Sequence, residues 1–108
     1  MYLVTGPAVF RRVAQQTKCP AALLHTLMTV HVLTTLSPLP PSATALQATL
    51  QSSLPLLRGY IRALVERGCI RRERYSRRGA RRLHLTSEGR ALVQLCQRET
   101  RRVVALLG

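Results

Sequence analysis

The sequence predicts a mainly α domain carrying one small β-hairpin, in the order α-α-α-α-β-β-α. Three observations predict it. Apolar residues recur at spacings of three and four through most of the chain, the period of helices with one buried face. Between Ile70 and Leu85 the period shortens to two around a Gly-containing segment, the pattern of a hairpin. The 108 residues, 46% of them hydrophobic, suffice for one core and no second one, so residues 1–108 read as a single domain.

Pro7 to Lys18 reads as a first helix with Val9, Phe10 and Val13 on one side. Cys19-Pro20 ends it, because a residue before proline is pushed out of the α region. Ala21 to Leu36 is a second helix, apolar nearly all round through Leu23, Leu24, Leu27, Met28, Val30 and Leu33, and so expected in the centre of the core. At 16 residues, with His25, His31 and four Thr, it is a core helix rather than a membrane span. Ser37 to Pro41 is a break, since three Pro in five residues cannot continue a helix. Residues 7–36 thus form an N-terminal helical pair.

Ser42 offers an N-cap to a third helix, Ala43 to Leu50. After the tight link Gln51-Ser52-Ser53, a fourth helix opens with Ser53 as cap and Pro55 in its first turn, where proline is tolerated. Leu57, Tyr60, Ile61, Leu64 and Val65 form its inner stripe, it runs to Arg67, and Gly68 supplies the left-handed residue that ends it. Residues 42–67 are therefore two helices joined by a short turn. Over 70–86, Ile70 to Tyr75 and Arg81 to Leu85 pair about the tip Ser76 to Ala80, with Leu83 and Leu85 facing inward. Thr86 caps a last helix over 87–107, whose stripe is Leu92, Leu95, Cys96, Val103, Leu106 and Leu107.

The charge is lopsided: 17 basic residues, all Arg except Lys18, against 4 acids, for a net +13. Residues 58–108 carry 14 Arg and 4 Glu, and seven of those Arg fall between Arg71 and Arg82. Such a local excess attracts polyanions. A genome biased towards Arg explains Arg over Lys, but it does not explain the scarcity of acids. A membrane surface fits less well, because this stretch has no apolar face. The absence of Asp excludes an Asp-containing triad or an EF-hand loop, and Ser, His and Glu fall in no catalytic arrangement, so an enzyme is not expected. Cys19, Cys69 and Cys96 form no C-x-x-C and the three His have no ligand spacing, so neither a metal nor another cofactor is expected. Three Cys, an odd number, with no basic n-region or small-residue cleavage site at the start, imply a reducing, cytoplasmic setting.

The combination Leu64, Gly68 and Ile70 (L-x-x-x-G-x-I), an Arg-rich wing, and Leu85, Thr86 and Glu88 to Ala91 (L-T-x-E-G-R-A) resembles the MarR family of bacterial winged helix-turn-helix transcription regulators. The likeness covers roughly half the chain, from Ser42 to Ala91. It implies duplex DNA as the partner, with the fourth helix in the major groove and the wing on the minor groove and phosphates. The implied DNA contacts are Ser52 and Ser53 to phosphate, Arg58 and Arg62 from the helix, and Arg74, Arg77, Arg78 and Arg81 from the wing. Arg58 and Arg62 lie one turn apart on one face, and two readings stay open: pairing with a guanine edge, or contact with phosphate alone. Gly59 between them has two explanations as well, close approach of backbone to DNA or simple packing.

The departures are specific. The family's wing carries D-x-R at its tip; here Arg77, Arg78 and Gly79 stand there. The recognition helix opens with apolar Leu54-Pro55-Leu56 rather than small polar residues. One helix follows the wing where the family has two. The family likeness implies a homodimer, here through the last helix, with Phe10, Val13, Leu95, Val103 and Leu106 at the interface. It also implies an unidentified small-molecule or redox effector, the latter through Cys19. The expected function is a sequence-selective or weakly selective DNA-binding regulator. The alternative is a winged-helix architectural or protein-interaction module without operator specificity, which the apolar helix opening favours.

Overall fold

The computed structural model describes residues 2–74 and 81–107, with side chains over 8–74 and 81–106. Seven elements follow in the expected order: α1 (Tyr2–Thr17), α2 (Ala21–Leu36), α3 (Ala43–Leu50), α4 (Leu54–Glu66), β1 (Ile70–Arg74), β2 (Arg81–Leu85) and α5 (Ser87–Leu107). The hairpin tip, residues 75–80, with Arg77 and Arg78, lies outside the described residues.

The start of α1 corrects the sequence reading. The helix begins at Tyr2, not Pro7, and runs through the Gly6-Pro7 pair. A proline in the second turn forgoes one backbone hydrogen bond, and the helix continues across it. At the other end Lys18 turns left-handed, with φ 60°. That conformation is uncommon outside glycine, and it is held here: the Arg67 guanidinium donates to the Lys18 carbonyl at 3.0 Å, and the Lys18 N–H to the Ala14 carbonyl at 2.9 Å.

Helix α2 is the centre of the packing, touching α1, α3, α4, α5 and β2. Leu24, Leu27 and Val30 of α2 are fully enclosed with Val13, Leu46, Leu57, Leu64 and Leu83, one or more from each remaining helix except α5 and one from the hairpin. Helix α5 contributes Val93 and Cys96, with Leu92, Leu95 and Val103 half-buried. The turn between α3 and α4 is made by Gln51 at φ 53°, whose N–H returns to the Gln47 carbonyl at 2.8 Å. Ser42 and Ser53 cap their helices as the sequence predicts, accepting from the amides of Ala45 and Leu56.

In the hairpin, Ile70 lies opposite Leu85, Arg72 opposite Leu83 and Arg74 opposite Arg81. The Leu83 N–H also donates to the Pro41 carbonyl at 2.9 Å, so the proline-rich break lies against the outer side of β2. Where α4, β1 and α5 meet, main chain meets main chain. The Thr86 hydroxyl donates to the Gly68 carbonyl at 2.5 Å and accepts from the Gly89 amide at 3.1 Å, which caps α5. The Thr86 amide donates to the Cys69 carbonyl at 3.1 Å. Gly89 packs so closely that a Cβ there would lie 2.1 Å from the Cys69 carbonyl oxygen. Gly68, at φ 75°, ends α4 in the left-handed conformation expected of it.

Glu99 is the buried acid, 8% exposed, with the Arg12 guanidinium at 3.2 Å and Arg102 at 3.5 Å. It ties α5 to α1. Nothing in the sequence pattern marked it.

Candidate nucleic-acid interface

Helix α4 divides its residues by the 3.6-residue period. Leu57, Ile61 and Leu64 are buried, and Pro55, Leu56, Arg58, Gly59, Arg62 and Glu66 are exposed. Arg58 and Arg62 therefore share the outer face, as their spacing predicts. Gly59 sits between them, and among the described residues nothing lies within 4 Å of where a Cβ would stand, so no packing contact there accounts for it. Ser52, half-buried, and Ser53, exposed, precede the helix. Ser53 uses an oxygen lone pair as the cap, and its hydroxyl hydrogen remains available to donate.

Side chains alternate across a strand, so the register assigns each wing residue a side. Ile70, Arg72 and Arg74 share one face with Leu85, Leu83 and Arg81; Arg71 and Glu73 share the other with His84 and Arg82. The first face begins as core and becomes Arg towards the tip. It adjoins α4 and the start of α3. Arg58, Arg62, Arg72 and Arg81 line one depression of about 370 Å³ there, with Ser42 and Thr44 on its wall.

Among the described residues no carboxylate lines this depression or pairs with those four Arg. Of the four acids, Glu66 is exposed at the end of α4, one turn past Arg62, and does not line the depression. Glu73 is on the opposite face of the hairpin, 3.3 Å from both Arg71 and His84. Glu99 faces α1. Glu88 starts α5, where hydrogen bonds from its own backbone amide and from Ser87 and Thr86 hold its carboxyl below the usual range. Arg82 donates to the Pro40 carbonyl at 3.2 Å and so belongs to the anchorage of the hairpin.

The structure thus brings Arg58, Arg62 and Arg81 together, puts Arg74 on the same face opposite Arg81, and adds Arg72, which the sequence reading missed. The signal was present: Arg72 is two residues from the core residue Ile70, hence on its side of the strand.

The residues expected at a dimer interface separate into two groups. Phe10 and Val13 are 7% and 0% exposed within the single chain, packed between α1, α2 and α5. Phe10 also stacks on His25 with ring centroids 5.3 Å apart. Over the described side chains of α1, residues 8–17, the apolar side is covered by the chain's own helices. Leu95 and Val103 are half-buried and Leu106 is 77% exposed, so the apolar stripe of α5 is only partly covered within the chain.

All three thiols are buried. Burial pushes each above the ordinary value, Cys96 to about 11, and the guanidinium of Arg67 only partly opposes this at Cys19 and Cys69. A protonated, enclosed thiol is a poor nucleophile. Among the described residues no group of three or more His, Cys, Asp or Glu is arranged to hold a metal ion, and no single helix is long and apolar enough to cross a membrane.

No protein-family model matches the chain, and no curated protein sequence matches it. Solved structures do. The chain superposes on Staphylococcus aureus MepR in a DNA complex with a TM-score of 0.76 at 16% identity, over 95% of this chain and 71% of that one. The fold is that of the MarR-type winged-helix regulators. Apo MarR from Escherichia coli gives a TM-score of 0.71 at 17% identity, over 91% of this chain and 70% of that one. MarR of S. aureus, in complex with salicylate and kanamycin, gives 0.74 at 15% identity, over 93% and 64%. The order shared with them is four helices, a two-stranded antiparallel hairpin and a last helix.

Proposed function

We propose that the protein is a DNA-binding transcription regulator, acting as a homodimer in the cytoplasm and not as an enzyme. One observation carries this reading: four Arg from α4 and the wing gather around a depression that holds no carboxylate. The MepR neighbour, solved with DNA, supports it. In this reading α4 enters the major groove by its N-terminal half, and Arg74, Arg77, Arg78 and Arg81 follow the minor groove and phosphates. Ser52 and Ser53 meet phosphate at the start of α4. Affinity is then dominated by counterion release and discrimination between sequences is weak.

The mate binds along Leu95, Val103 and Leu106 of α5. A small-molecule effector has a place to act in the recess of about 360 Å³ between α2, β2 and α5, lined by His31, His84, Arg90, Gln94 and Gln97. A redox effector at Cys19 is disfavoured by the burial and raised pKa of that thiol. Leu56, half exposed in the first turn of α4, favours the second reading, a winged helix that binds protein without operator specificity.

Fluorescence anisotropy of a labelled duplex at several salt concentrations separates the two. The regulator reading expects log K to fall with log salt at about −0.9 per phosphate neutralised. Undetectable duplex binding at about 50 mM salt ends it, since electrostatic binding is strongest there.

A further inference from the structure

Resting on the DNA-binding reading, we infer that the depression between α4 and the wing is a clamp for the DNA backbone. Arg58, Arg62, Arg72 and Arg81 converge on one phosphodiester strand, so Arg58 and Arg62 hold phosphate instead of reading base edges.

The geometry of the duplex supplies the first step. A helix in the major groove and a hairpin in the neighbouring minor groove are separated by the sugar–phosphate strand that forms the ridge between those grooves. Whatever lies between helix and hairpin faces that strand. In this chain it is the depression of about 370 Å³. Its cations come from three elements: Arg58 and Arg62 from α4, Arg72 from β1 and Arg81 from β2. Arg reaching for a guanine edge extends out from the helix along the groove floor. Arg lining a lateral recess, beside two wing Arg, is placed for the wall of the groove.

Charge supplies the second step. Four guanidinium groups gathered without a carboxylate repel one another in the free protein, and an anion relieves that repulsion. The planar, permanently charged guanidinium matches the oxygens of a phosphate with two parallel hydrogen bonds. The first turn of α3 also lines the recess through Ala43 and Thr44, bringing the positive end of the helix dipole and the Thr44 hydroxyl.

The test uses the full chain and two duplexes of equal length: the sequence enriched from a random duplex pool, and its scrambled counterpart. Arg58→Ala, Arg62→Ala and Arg72→Ala each leave the fold intact by circular dichroism, because all three side chains are exposed. Each is expected to weaken binding to both duplexes by the same factor. The double variant of Arg58 and Arg72 is expected to lose at least about twofold less than the product of the single losses, as residues sharing a site do. A change of about fivefold or more in the ratio between the duplexes on Arg58→Ala or Arg62→Ala, the lower end of what a base contact gives, overturns the clamp. So does an Arg72→Ala variant that binds like the unmodified protein. The DNA-binding reading fails differently, when the unmodified protein binds neither duplex.

Discussion

Gly89→Ala tests the joint between the wing and α5. The added methyl would lie 2.1 Å from the Cys69 carbonyl oxygen, more than about 1 Å inside ordinary contact, and 3.1 Å from its carbon, a few tenths of an ångström inside it. Both neighbours are main chain, so no flexible side chain can swing aside. Either α5 tilts away from β1 or the start of β1 shifts. Overpacking of this kind costs roughly 1–3 kcal/mol. The displacement also lengthens the Thr86 amide bond to Cys69, for about 1 kcal/mol, and disturbs the Thr86 cap, for about another 1 kcal/mol. The helix preference of Ala over Gly returns about 1 kcal/mol. The expected net loss is about 2–4 kcal/mol. For a domain of this size that lowers Tm by roughly 10–20 °C. A thermal melt followed by circular dichroism reads it. A Tm within about 2 °C of the unmodified protein would refute the reasoning.

Gly59→Ala is the counterpart: with open space at the Cβ, it should raise stability by about 0.5–1 kcal/mol in a urea titration. If α4 lies close to DNA, the same variant binds duplex more weakly despite its greater stability, which anisotropy measures. Leu106→Glu should convert a dimer to a monomer in sedimentation equilibrium while leaving the melt of the domain nearly unchanged, because Leu106 is 77% exposed in the single chain. The three thiols should react slowly with a thiol reagent at pH 8 and quickly once the chain is unfolded. Their raised values also make stability fall as pH climbs from about 9, where unfolded thiols ionise, towards about 11, where Cys96 follows in the fold. A melt whose midpoint is flat over that window would count against the burial of Cys96.

Much of the fold was legible because its boundaries are chemical. Prolines and Ser42 bound α2 and α3, which begin and end where the sequence predicts, and between Gly68 and Thr86 the hairpin begins at Ile70 and ends at Leu85 as expected. The start of α1 was not legible: the sequence reading begins the helix at Pro7, whereas one missing hydrogen bond in a second turn is tolerated and the helix begins at Tyr2. The site was half legible. Arg58 and Arg62 follow from helical spacing. Arg72 is legible in principle, two residues from Ile70 on the same side of the strand, and its pairing to Leu83 confirms that side. The place of Phe10 and Val13 was not legible: an apolar stripe says that something covers it, and not whether that is a mate or the chain's own α2 and α5. Glu99 belongs to the same class, since its burial depends on α1 and α5 lying side by side.

The meeting point of Gly68, Cys69, Thr86 and Gly89 fixes the pose of the wing with carbonyls and amides that every amino acid carries. Side-chain identity enters at Thr86, for its hydroxyl, at Gly89, for its missing methyl, and at Gly68, for its left-handed φ of 75°. Cys69 and Ile70 beside it are held by the core they pack in, and not by the hydrogen bonds of the joint. The lineage of such a chain can therefore rewrite the surface of its wing, trading Asp for Arg or adding charge, while the bearing on which that surface is mounted stays where it was.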